Sequence, residues 1–232
     1  MQLVAYGAQD IYLTGNPQIT FWKVVYRRHT NFARETIEQT ISGTSTLTTS
    51  STRGTVTVSR NGDLLSRVYV TSETASIENG DRLVDDVEVQ IGGQKIDKHT
   101  YEWMQVWNEL STPEAKADAF KAMTGCVGSS GSTGVGMVQV PLLFWFCRNP
   151  GLALPLIALQ YHEVKLVFNW GTSTNVGAAA VCKVLCDYVY LDTDERRRFA
   201  QVSHEYLIEQ LQYQAEGSSK ASVKLTLNHP VK

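Results

Sequence analysis

The most ordered pattern of apolar and polar positions lies between Val138 and Trp170, VQVPLLFWFCRNPGLALPLIALQYHEVKLVFNW. Its first arm, Val138 to Phe146, is apolar at nearly every position, which predicts a strand covered on both faces. Its second arm, His162 to Trp170, alternates. Val164, Leu166, Phe168 and Trp170 share one face, and Glu163, Lys165 and Asn169 share the other. Between the arms, Pro150 and Pro155 forbid a long helix, and Asn149-Pro150-Gly151 supplies turn chemistry. The pattern predicts two long strands joined by a compact apolar crossover, the spine of an all-β barrel.

Shorter strands flank this spine. Glu35 to Ile41 reads as one, followed by a Ser/Thr/Gly run from Ser42 to Gly54. Thr55 to Arg60 alternates, and Asn61-Gly62 predicts a two-residue hairpin into Leu64 to Glu73. A turn at Asn79-Gly80 leads to Leu83 to Ile91, with Leu83, Val87, Val89 and Ile91 on one face, closed by Gly92-Gly93. The period then changes. Trp103, Val106, Trp107 and Leu110 sit at helical spacing. Thr112-Pro113-Glu114 reads as an N-cap, a first-turn proline and a dipole-favoured acid, opening a second helix that stops at Gly125. The helical insertion thus spans about 99–124 and is expected against the barrel. Gly125 to Gly136 and Thr172 to Ala180 are small-residue loops, and Val181 to Leu191 is a strand apolar on both faces. Thr193 can cap a short helix through Asp194 and Glu195. Turns every ten to twenty residues between alternating strands indicate a sandwich or barrel.

Composition narrows the function. The chain has 232 residues, 43% hydrophobic and 19% charged, with 21 basic against 23 acidic residues and a formal charge of −2. That balance excludes a protein devoted to neutralising nucleic-acid phosphates, although a local basic patch fits it. Cysteines stand at 126, 147, 182 and 186 with no CxxC pair. On a strand Cys182 and Cys186 share a face about 13 Å apart, beyond the roughly 7 Å a disulfide spans. Buried free thiols are expected. No signal-peptide pattern opens the chain, no Asn-x-Ser/Thr sequon occurs, and the apolar stretch 137–161 is broken by prolines and Arg148. These features predict synthesis in a cytosol and no membrane span.

Candidate chemistry is sparse. The histidines at 29, 99, 162, 204 and 229 form neither His-x-His nor HExxH, so no metal or cofactor and no enzyme is predicted. GSSGSTGVG lacks the Lys-Ser/Thr ending of a phosphate loop and precedes a strand. Cys147 has no neighbouring base. Trp103, Trp107, Trp145 and Trp170 are expected in the core. Two basic clusters remain, Tyr26-Arg27-Arg28 with His29, and Arg196-Arg197-Arg198. Each is a solvated face or a set of inter-subunit salt bridges, for which the arginine fork is suited.

Three stretches carry a resemblance. GAQDIYLTGNPQITFWKVVYRRHTNF, FWFCRNPGLALPLIALQYHEV and DTDERRRFAQVSHEYLIEQLQ resemble, in order, motifs of the major capsid proteins of large double-stranded DNA viruses of algae and amoebae. The resemblance implies an antiparallel jelly-roll sandwich, the first barrel of a double jelly roll. Its organisation would be an N-terminal arm at 1–33, a first jelly roll at 34–200, and at 201–232 a linker with the first strands of a second. Ile208-Glu209-Gln210 echoes Ile37-Glu38-Gln39 there, with Val223, Leu225 and Leu227 as the next strand. Either the polypeptide continues past Lys232 or these strands complete something else. The implied role is structural. A homotrimer forms a pseudo-hexagonal capsomer, capsomers tile an icosahedral shell in the virion, and minor capsid proteins bind it, with assembly in the host cytoplasm and no direct nucleic-acid contact. Proximity to an inner viral membrane and attached glycans are left open. A minor or vertex capsid protein is the nearer alternative. A carbohydrate-binding jelly roll is the farther one, disfavoured because loops 42–54, 125–136 and 171–180 hold no aromatic residue.

Overall fold

A computed structural model describes residues 30–74, 77, 79–126, 137–215, 222–228 and 230–231. The chain divides into units 1–31 and 32–232, and the architecture below is that of the second. The expected N-terminal arm lies outside the described residues except at its last four positions, and loop 127–136 lies outside them altogether.

Ten strands form among the described residues: β1 (Phe32–Gln39), β2 (Ile41–Gly43), β3 (Thr52–Thr57), β4 (Leu64–Ser72), β5 (Val84–Ile91), β6 (Gln94–Thr100), β7 (Val138–Pro141), β8 (Leu154–Pro155), β9 (Val164–Trp170) and β10 (Lys183–Leu191). Five α-helical segments join them among the described residues: α1 (Tyr101–Ser111), α2 (Glu114–Thr124), α3 (Trp145–Arg148), α4 (Ser173–Val176) and α5 (Thr193–Gln201). One antiparallel sheet runs β1-β10-β4-β7 with β8 beside β4, and the other runs β2-β3-β9-β5-β6. Most successive strands fall in opposite sheets, so the chain winds around a core in the jelly-roll manner. The expected all-β antiparallel sandwich with short helical insertions is therefore observed.

Alternation explains the core. β9 buries Val164, Leu166, Phe168 and Trp170, while Lys165 and Asn169 reach outward. Phe168 and Trp170, two residues apart on one face, stack at 4.8 Å. Opposite them β10 turns Val184, Cys186 and Tyr188 inward. β4 would lose its register with β10 but for a bulge. Tyr188 faces Leu65 and Asp187 faces Arg67, so Ser66 is the extra residue, and its hydroxyl donates to Asp187 O at 3.2 Å. Leu65, Val68 and Val70 can then all point into the core.

Several local expectations need correction. The strand expected over Val138–Phe146 ends at Pro141, and Trp145–Arg148 is a helical turn. Phe144, Trp145 and Phe146 are buried there, and a continuous apolar run does not distinguish a buried strand from a buried turn. The hairpin at Asn61-Gly62 does not form, because β3 and β4 belong to different sheets. Those residues instead carry the chain across the sandwich end. Glycine is needed at 62 for space, since a Cβ there would stand 2.7 Å from Tyr188 Cβ. The segment Glu35–Ile41 breaks at Thr40, with its ends in opposite sheets. Gly92 and Gly93 do make a hairpin, both with positive φ (61° and 81°), and it leads into β6, whose charged residues had hidden a strand. The helix caps shift by one residue. Pro113 rather than Thr112 precedes α2, and the Asp192 carboxylate rather than Thr193 caps α5, accepting from Thr193 N–H. Residues 208–210 and 223–227 form no strand, and Leu207 and Leu225 are exposed. A pair of segments without a third strand or a covering layer is marginal in water.

Candidate assembly surfaces

The triple arginine sits on α5, a helix with one apolar residue, Phe199, aimed at the barrel. Phe199 packs on a small cluster of Leu64, Ala153 and Val189 on the outer face of the first sheet. Arg196 lies one turn earlier and reaches the same wall. Its Nε stands 3.1 Å from Asp63 Oδ1, and its terminal nitrogen donates to Oδ2 at 3.2 Å. Asp63 is nearly buried and also accepts from Leu191 N–H at 2.8 Å. Arg196 therefore docks its own helix, and the two-pronged contact suits a guanidinium rather than an ammonium. Arg197 and Arg198 are exposed on the same helix. The other expected cluster, Tyr26, Arg27 and Arg28, falls outside the described residues.

A second surface was only half legible. The helical spacing of Trp103, Val106, Trp107 and Leu110 is real, yet that face is not covered. Met104 is the buried residue of α1, Trp103 and Trp107 are half-buried, and Val106 and Leu110 are 49% and 81% exposed. Trp107 is roofed by Arg148, whose guanidinium carbon lies 3.9 Å from the ring centre. α2 continues the surface with Ala115, Ala119 and Ala122 exposed. The two helices stay on the barrel through close backbone approach. A Cβ on Gly80 would lie 2.0 Å from Thr124 O, so only glycine admits the end of α2.

A third feature is a cleft of about 600 Å³ between β6, the start of α1 and residues 210–213. Its wall gathers Asp85, Asp86 and Glu102, and burial, then these two like charges, raise the Asp85 carboxyl above its ordinary range. Lys98 offsets Asp86 at 3.1 Å. Among the described residues no group of three or more His, Cys, Asp or Glu is placed to hold a metal ion, and no helix is long and apolar enough to cross a membrane. All four cysteines are free. Desolvation pushes the Cys147 and Cys182 thiols up to about 12 and Cys126 to about 11, and raises Cys186 as well. At neutral pH they are protonated packing groups rather than nucleophiles.

The wound antiparallel sandwich has counterparts among known proteins. Residues 20–192 match the family described as the major capsid protein N-terminus. This chain belongs to that family. The major capsid protein of Pyramimonas orientalis virus is 53% identical over all of the chain, which spans 63% of that relative. The major capsid protein of Paramecium bursaria Chlorella virus 1 is 44% identical, again over the whole chain and 58% of its own length. A quasi-atomic model of the PBCV-1 virus capsid superposes with a TM-score of 0.70 at 42% identity, covering 83% of this chain and 50% of that one. The chain thus spans about half to two thirds of the length of these major capsid relatives. The sequence resemblance is borne out for family and fold.

Proposed function

We propose that this chain is the first jelly roll of a major capsid protein, a structural unit of the virion that works by assembly rather than catalysis. The observation that carries the reading is the superposition on the PBCV-1 capsid at 42% identity over 83% of the chain. In the proposed role, 34–200 is the barrel, 1–33 an arm, and 201–232 the passage to a second barrel. Three copies associate into a pseudo-hexagonal capsomer that tiles an icosahedral shell, assembled in host cytoplasm with minor capsid proteins. Trimer formation of this kind needs obligate interfaces of about 2,000 Å² or more with apolar centres. The uncovered face of α1 supplies apolar area for one, and Arg197 and Arg198 supply charge at a rim.

Native mass measurement on protein released from purified particles is expected to give a trimer. Leu110→Glu and the double variant Arg197→Ala/Arg198→Ala are each expected to lower trimer or shell yield severalfold with the barrel still folded. Wild-type assembly in both would remove these surfaces from the interface. A protein that stays monomeric and is absent from particles would overturn the reading itself.

A further inference from the structure

Residues Glu209, Gln210 and Leu211 are held at three successive positions by two parts of the barrel, Arg148 and strand β6. Glu209 Oε2 meets the Arg148 guanidinium at 2.5 Å. Arg148 is itself fixed, donating Nε–H to Leu143 O at 2.8 Å and lying over Trp107. The Gln210 side-chain amide donates to Ile96 O at 2.6 Å. Leu211 N–H donates to Asp97 Oδ1 at 3.0 Å.

The Asp97 contact is the firmest of these. The residue is 3% exposed, and Oδ2 lies 2.9 Å from Nε2 of the equally buried His99. That contact is close but not aligned as a hydrogen bond. The directed donors to this buried carboxylate are the backbone amides of Lys98, at 2.9 Å, and Leu211. A desolvated acceptor with so few donors holds each one strongly, because losing either leaves a buried oxygen unsatisfied. The site also lies where β6, the outermost strand of its sheet, is interrupted. Val89 faces Asp97 and Gln90 faces Lys95, so Ile96 is a bulged residue whose carbonyl is free to take Gln210. Beyond the contact, 224–228 hangs on the same strap through side chains. Gln212 accepts from Asn228 N–H, and Gln214 bonds Lys224 O and Thr226 N–H.

We propose that Glu209–Leu211 is a latch, with Asp97 as its fixed point and Arg148 as its second, that sets the direction in which the chain leaves the barrel. The latch rests on the barrel's own geometry and holds whether or not the capsid reading does. It converts a flexible exit into a defined one without a strand ladder, and it occupies the free edge of β6 where another chain could otherwise pair.

Hydrogen exchange on the intact protein tests it. The Leu211 amide is expected to be protected at least tenfold against a free amide. In Glu209→Ala/Gln210→Ala, two changes on the exposed strap, that protection is expected to fall about tenfold. Protease cleavage within 203–213 should rise with it, while amides of β9 keep their rates. Arg148→Lys, which retains charge but not the fork, is expected to give a smaller change at the same amide. A Leu211 amide that exchanges freely in the native protein, or exchange unaltered by the double variant, would overturn the latch. So would loss of protection across β9, which would make these residues part of the barrel's folding unit.

Discussion

The buried carboxylates Asp63 and Asp97 and the four desolvated thiols are handled in two different ways. Asp63 and Asp97 collect donors, Leu191 N–H with Arg196 in one case and two backbone amides in the other. Burial instead keeps the thiols protonated. Folding holds the Cys147 and Cys182 pKa values at about 12 and Cys126 at about 11 against an ordinary value of 9.0. A folded pKa above the unfolded one favours the protonated form, so this contribution is complete below about pH 9 and is lost as pH climbs toward the folded values. Between pH 9 and 10.5 the urea midpoint is therefore expected to fall, by up to about 1.4 kcal/mol of stability per thiol per pH unit. The fall should be shallower in Cys147→Ala. A midpoint flat across that window would show that the thiols are not desolvated. At pH 8 the same burial predicts slow alkylation of the folded protein. The positions of the cysteines were plain in the sequence, and the absence of a Cys182–Cys186 bond followed from strand geometry alone. Asp63 was not legible, because its partner Arg196 lies 133 residues away.

The segment between β8 and β9 has little regular structure of its own, and one long side chain from the neighbouring β3–β4 connection serves three of its carbonyls. Arg60 donates to the carbonyls of Gln160, Leu159 and His162, at 2.5, 2.7 and 3.1 Å. Arg60→Lys leaves one ammonium to serve three acceptors placed for a planar fork. About 1 kcal/mol should be lost, lowering the melting temperature by roughly 2–4 °C, with exchange rising first at 159–162. An unchanged melting curve and unchanged local exchange would mean that water serves those carbonyls equally well. Elements were legible in proportion to how local their causes are. The alternation of β9, the spacing of α1 and the Gly92-Gly93 turn each depend on neighbours in sequence. The helical turn at Trp145 did not announce itself, since its apolar residues are buried on all sides and show no period.

Two sheets closing over one core make the molecule cooperative, with cost graded from centre to edge. Phe168 sits on the middle strand, fully buried, against Trp170 and opposite Gly54 and Val87. Phe168→Ala is expected to cost about 3–5 kcal/mol and to lower the single unfolding transition as a whole. Thr36→Ala on the exposed edge strand β1, where the hydroxyl meets Asp187 at 2.6 Å, should cost under about 1 kcal/mol. Equal losses would argue against one shared core. At this scale the amino-acid sequence by itself determined the class of the fold, the inward residues of the alternating strands, the place of the helical insertion and the family. The first three follow from the periods of strand and helix, which are written residue by residue, and the family follows from the resemblance of three motif stretches. Only the tertiary structure decided which strands pair, that Asn61-Gly62 bridges the sheets, that Arg196 is engaged while Val106 and Leu110 are left uncovered, and that Asp97 holds Leu211. These depend on contacts between residues far apart in the chain, whose energies exist only once the sheets have closed and water has left the space between them.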